Sequence, residues 1–188
     1  MIEFEKKYRI DKRLREAIVE RLSDLRAGYV GREFEENIIY SNDHLRSTGS
    51  IIRLRSVGEG TILTFKRRVP GLSDVKKQVE YEVHVSNREL MQRILAEIGL
   101  RPAVIYEKIR DIWRLDSTEV VLDELPFGDF VEIEGPEAEI ALCEQKLGID
   151  PSLATTDTYP GLTARLGVEI DSVMTARFGP ENALAEGS

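Results

Sequence analysis

The stretch Ile2-Glu3-Phe4-Glu5-Lys6-Lys7-Tyr8 sets Glu3, Glu5 and Lys7 two residues apart. Alternate residues of a β-strand share a face, so these three point one way while Ile2 and Phe4 point the other. Taken singly, such a strand reads as a solvated sheet edge. The pattern returns, however, in Arg53-Leu54-Arg55, Thr64-Phe65-Lys66, Glu80-Tyr81-Glu82, Lys108-Ile109-Arg110 and Glu132-Ile133-Glu134, with Asp123 closing Val120-Val121-Leu122. Turn signals separate these runs. Gly58-Glu59-Gly60 joins strands predicted over 50–57 and 61–69, and Pro70-Gly71 ends the second. Asp116-Ser117 joins strands over 103–115 and 118–125, and Pro126-Phe127-Gly128 precedes one over 128–134. Short glycine-bearing or polar links of this kind make antiparallel hairpins.

Further strands over 1–10, 33–42 and 76–85 bring the count to about eight. Ser41-Asn42-Asp43 is read as a turn. Residues 11–26 predict an amphipathic helix, with Leu14, Ile18, Leu22 and Leu25 on one face and Asp11 as its N-cap. Helices follow over 87–98 (capped by Ser86) and 136–147 (stopped by Gly148), with a short one between Thr156 and Leu166. The fold class is therefore α+β: an antiparallel eight-stranded barrel, closed or nearly so, with flanking helices. One domain is expected over 1–170 and a C-terminal tail over 171–188.

Bulk composition narrows the function classes. The chain has 188 residues, 32% charged and 41% hydrophobic, with net charge −8. That balance argues against general nucleic-acid binding through a basic field. One cysteine, Cys143, and two distant histidines, His44 and His84, offer neither a disulfide framework nor a zinc site. The N-terminus lacks a signal-peptide pattern, and no apolar run approaches the ~20 residues of a membrane helix. A soluble cytoplasmic protein without membrane partners is expected. The helix over 11–26 or the tail offers a face for a homodimer.

An eight-stranded barrel has an interior that can hold side chains or one ligand. If the charged faces line it, Lys7, Arg53, Arg55, Lys66, Lys108 and Arg110 oppose seven carboxylates, namely Glu3, Glu5, Glu80, Glu82, Asp123, Glu132 and Glu134. Charges in such a lumen must be compensated. Near balance, a polyanion together with hard metal ions can enter without leaving a large uncompensated field. Carboxylates without thiolate or imidazole suit Mg²⁺ or Mn²⁺. Arginine forks suit phosphate oxygens, and lysines act as mobile point charges.

Glu3-Phe4-Glu5-Lys6-Lys7, followed in order by Arg53-Leu54-Arg55, Lys66, Glu80/Glu82 and Lys108-Ile109-Arg110, resembles the CYTH superfamily, or triphosphate tunnel metalloenzymes. Leu122-Asp123-Glu124 and Gly128 to Glu134 match its late acidic motifs, and Thr158-Tyr159-Pro160-Gly161-Leu162 resembles a short C-terminal motif. The family usually has Phe-Asp-Thr where this chain has Tyr40-Ser41-Asn42-Asp43. The resemblance covers roughly residues 1–166 and implies a barrel enclosing a tunnel. It implies that Glu3, Glu5, Glu132 and Glu134 hold a divalent metal, Mg²⁺ or Mn²⁺. Asp123 and Glu82 would hold a second or orient water. Lys7, Arg53, Arg55, Lys66, Lys108 and Arg110 would cradle phosphates.

The family includes class IV adenylyl cyclases, thiamine triphosphatases and inorganic triphosphatases. The leading expectation is metal-dependent hydrolysis of inorganic triphosphate, thiamine triphosphate or ATP, with Glu82 and Lys7 as catalytic groups. One alternative is a class IV adenylyl cyclase, in which the 3′-hydroxyl of ATP attacks the α-phosphorus. Another is a non-catalytic polyphosphate or nucleotide sensor.

Overall fold

The computed structural model describes residues 2–69 and 76–179, with the side chains of Ile2 and Glu3 outside that description. The Pro70-Gly71 stop therefore lies outside the described residues. Eight strands form a ring: β1 (Ile2–Ile10), β2 (Gly28–Ser41), β3 (Ser50–Val57), β4 (Gly60–Val69), β5 (Lys76–His84), β6 (Arg101–Leu115), β7 (Thr118–Leu125) and β8 (Gly128–Glu134). Their order is β6-β2-β3-β4-β5-β1-β8-β7, and β7 pairs back onto β6. Every neighbouring pair in the ring is antiparallel. Closure satisfies the backbone hydrogen bonds that an open sheet would leave at its two edges.

Register decides which side chains meet inside. Glu5 lies opposite Glu134 and Lys7 opposite Glu132 across β1 and β8. Lys66 faces Glu80, Thr64 faces Glu82, and Arg110 faces Asp123. These residues share the concave face, so the alternating charges point inward.

Most of the hydrophobic core consequently lies outside the barrel, under the helices, while a further cluster that includes Ile39, Tyr106 and Tyr159 meets the cavity itself. Helix α1 (Lys12–Asp24) contributes Ile18 and Leu22, and α4 (Glu137–Leu147) contributes Ile140, Cys143 and Leu147. They pack on Tyr8, Val120, Leu122, Val131 and Ile133, the outward residues of β1, β7 and β8. Buried Glu144 of α4 accepts hydrogen bonds from Lys6 and the Tyr8 hydroxyl at this seam. A second cluster sets Leu95 of α3 (Arg88–Glu97) and Leu45 of α2 (Asp43–Ser47) against Ile38, Tyr40 and Leu54. Burying a side chain of this size contributes roughly 1.5–3 kcal/mol.

Several local readings change. Asn42 caps α2 by accepting from Leu45 N at 2.9 Å, so the expected turn at Ser41-Asn42-Asp43 opens a short helix. Asn87, not Ser86, caps α3 through Leu90 N at 2.8 Å. In both, a side-chain amide oxygen satisfies a first-turn N–H. Residues 151–176 also carry regular elements that run past the tail boundary expected at 171. Strand β9 (Ala154–Thr155) joins β1, and α5 (Tyr159–Leu166) leads into the hairpin β10 (Val168–Ile170) and β11 (Val173–Ala176). β11 pairs in parallel with Val104–Tyr106, a stretch of β6 outside its pairing with β7, which begins at Ile109. No helix among the described residues is long and apolar enough to cross a membrane.

Candidate active site in the barrel interior

The barrel encloses a cavity of about 410 Å³ lined, among the described residues, by eight basic and six acidic side chains. The predicted Glu5, Lys7, Arg53, Arg55, Lys66, Glu82, Lys108, Arg110, Glu132 and Glu134 all line it. Glu3 sits on the same strand face by backbone position, with its side chain outside the described residues.

One wall is a cationic lattice built on buried carboxylates. Arg110 donates from Nε at 2.7 Å and Nη2 at 2.6 Å to Asp123, and from Nη2 at 2.8 Å to Glu132. Tyr159 Oη donates to Asp123 Oδ2 at 2.8 Å, and Lys108 Nζ lies 3.4 Å from the same oxygen. Asp123 has no solvent exposure, and both its oxygens are engaged by these donors. The structure thus places Asp123 behind the lining, where it orients Arg110 and Tyr159. Glu35 is equally buried, 3.4 Å from Lys108 and 3.6 Å from Arg55. Burial pushes its carboxyl up, but Lys108, Arg110, Arg55 and Arg53 outweigh that and hold it at about 2. Burial and Arg110 push the Lys108 ammonium below the usual lysine range.

Arg53 reaches Thr64 and Glu82 at 3.3 Å each, and Arg55 reaches Glu82 at 3.3 Å. Among the described residues the buried Nε donors of both arginines have no hydrogen-bond partner. Unsatisfied buried donors are costly. Lys66 pairs with Glu80 at 2.5 Å. Lys7 lies 2.9 Å from Glu132 and 3.6 Å above the Tyr159 ring centre. Burial opposes its charge, yet Glu132 and Glu5 hold its pKa above the ordinary lysine value.

The opposing feature is acidic. Glu134 lies opposite Glu5 in register, and Glu119 lies opposite Glu134. Burial drives the Glu134 carboxyl up to about 7; Lys66 offsets part of this, and Glu5, Glu119 and Glu132 add to it. Glu5 accepts from Lys76 and Gln78 at 3.1 Å each. Crowded carboxylates with all-oxygen donors fit a hard divalent cation, which would relieve their repulsion. Among the described residues no three acidic side chains already converge as a metal cage. Glu5 and Glu132 are instead tied to basic neighbours.

Sequence reasoning missed Glu35, Asn37, Lys76, Gln78, Tyr106 and Glu119. Lys76 carried a signal, since it stands two and four residues before Gln78 and Glu80 on one strand face. Burial, then the Lys7 charge, lowers its pKa.

Residues 1–149 match the CYTH domain. The chain belongs to the CYTH family. Its fold is shared by PH1012 of Pyrococcus horikoshii OT3, with TM-score 0.76 and 20% identity over 85% of this chain and 98% of that one. A putative adenylate cyclase from Vibrio parahaemolyticus gives TM-score 0.70 and 18% identity, covering 85% and 95% of the two chains. A putative adenylyl cyclase from Hippeastrum, described as having a dominant triphosphatase activity, gives 0.66 and 18%, covering 88% and 96%. No curated protein matches the sequence. Tyr159 and the β10–β11 hairpin lie beyond the stretch that matches the CYTH domain.

Proposed function

We propose that this CYTH chain binds the phosphate chain of a small triphosphate in its tunnel and hydrolyses it with the help of Mg²⁺ or Mn²⁺. One observation carries this reading: eight basic side chains among the described residues converge on one cavity. Arg53, Arg55, Lys66, Lys108 and Arg110 would bind phosphate oxygens by charge-assisted hydrogen bonds. Their carboxylate partners fix the geometry in advance, which matters because phosphoryl transfer depends on positioning and charge stabilisation. Glu5, Glu132 and Glu134, with Glu3 of the same strand, would hold the cation, which neutralises phosphate charge and activates water. Lys7 would meet the developing negative charge. Glu82, fixed by Arg53, Arg55 and Thr64, would accept the proton of the attacking water. Asp123 acts through Arg110.

The test is incubation with Mg²⁺ or Mn²⁺ and inorganic triphosphate, thiamine triphosphate or ATP, followed by assay of phosphate, pyrophosphate and cyclic AMP. Metal-dependent phosphate release is expected. Cyclic AMP with stoichiometric pyrophosphate would replace hydrolysis by cyclisation, and binding without any turnover would make the protein a sensor.

A further inference from the structure

Lys76 is a buried cation outside the set of phosphate ligands assigned above. It projects inward from the start of β5, opposite Glu5, and is 5% exposed. Its ammonium donates to Glu5 Oε1 at 3.1 Å and to the backbone carbonyl of Asp157 at 3.3 Å. Lys7 Nζ donates to that same carbonyl at 3.4 Å. Two buried ammonium groups thus converge on one neutral oxygen. Each ammonium carries three N–H donors, and among the described residues Lys76 meets only two acceptors. A peptide oxygen holds a fraction of a charge. A phosphoryl oxygen holds much more and makes bonds about twice as strong as neutral ones. Two converging ammoniums therefore match a phosphoryl oxygen better than the carbonyl they now share.

We infer that Lys76 and Lys7 form a two-ammonium clamp for one phosphoryl group of the bound chain, with the Asp157 carbonyl marking the point on which the two ammoniums converge. This rests on the triphosphate reading and adds a specific ligand to it. The clamp favours a group offering one oxygen to two donors, as a terminal phosphate does. Lys76 can reach it because the lysine stem is flexible and its ammonium acts as a point charge.

The experiment is titration calorimetry of inorganic triphosphate into the full chain in EDTA, so that no metal contributes. Wild type is compared with Lys76→Met and with Lys77→Met. Lys77 sits next along the same strand, with its ammonium 5.6 Å from the Phe4 ring on the outer face. Both substitutions remove one positive charge, but only Lys76 faces the tunnel. Lys76→Met is expected to raise Kd about tenfold or more, the loss of one charge-assisted bond, and Lys77→Met to leave it within about twofold. Equal weakening by the two substitutions, or none by Lys76→Met, overturns the clamp. Wild type that binds triphosphate only when Mg²⁺ is added overturns the clamp alone, and wild type that binds none in either condition overturns the underlying functional reading as well.

A second readout does not depend on Lys76→Met folding. Lysine ¹⁵Nζ resonances of the wild type, assigned with Lys76→Arg, are followed as triphosphate is added. Lys76 and Lys7 are expected to shift together and saturate together. An unmoved Lys76 signal in protein that binds triphosphate refutes the inference.

Discussion

Replacing Asp123 by Asn tests whether the cationic wall hangs on one buried carboxylate. Asp123 accepts from Arg110 twice, from Tyr159 Oη, and from Lys108 at 3.4 Å. Asn preserves shape and one carbonyl oxygen, but its amide nitrogen must confront a donor already in place. The charge that Lys108 and Arg110 share is also gone, leaving Glu35 and Glu132 to compensate both. Removing one partner of a buried ion pair costs about 3–5 kcal/mol. For a domain of this length, 1 kcal/mol moves Tm by about 2–4 °C, so a drop of about 10 °C is expected. Urea unfolding with linear extrapolation measures the loss directly, and an unchanged slope would confirm that the cooperative transition survives. The difference between wild type and Asp123→Asn should be the same with and without Mg²⁺, because no oxygen of Asp123 faces the cavity free of donors. A loss below about 1 kcal/mol would refute the hub role. A gap that appears only with added Mg²⁺ would return Asp123 to the metal ligands.

The Glu35 carboxyl, held at about 2 instead of 4.5, contributes stability that is complete above pH 4.5 and lost as pH falls toward 2. That contribution is about 3 kcal/mol, so Glu35→Gln should flatten the acid limb of a stability-against-pH curve. Glu144→Gln weakens the bonds from Lys6 and Tyr8 on the outer face; urea unfolding should show a loss of about 2 kcal/mol, while calorimetry finds triphosphate affinity unchanged. A Cβ at Gly167 would lie 2.6 Å from Thr163 O and 2.7 Å from Thr175 O. Gly167→Ala should therefore cost about 1–3 kcal/mol and speed hydrogen exchange in β10 and β11 ahead of the barrel.

The barrel was legible because period-two charge patterning survives wherever a strand has one polar and one apolar face. Glu5, Lys7, Arg53, Arg55, Lys108 and Arg110 stand out for that reason. Glu35 did not, because Glu33, Glu35 and Glu36 crowd one run and blur which face is inside. Its pairing with Lys108 is fixed by a long β2–β6 register that includes a bulge. The C-terminal hairpin was hidden for a different reason. Its turn is Asp171-Ser172, with φ of 50° and 65°, a left-handed pair usually signalled by Asn-Gly. In the Asp116-Ser117 turn only Asp116, at φ 54°, is left-handed, and there long alternating strands on both sides revealed the hairpin. The family resemblance implied a metal or water-orienting role for Asp123, and the sequence does not show how many donors already surround that carboxylate.

Because the apolar packing under α1 and α4 lies between barrel and helices, the polar lumen and that part of the hydrophobic core share strands but occupy opposite faces of them. A substitution at Gln78 or Glu119 changes charge without opening a void near Ile18 or Leu122. Such an arrangement gives the lumen mutational freedom. A lineage can exchange one tunnel residue for another, trying new anionic ligands, while the hydrophobic packing around α1 and α4 stays untouched. Evolution would then move specificity in steps of single inward positions, and divergence among relatives should concentrate there and not in the outer seam.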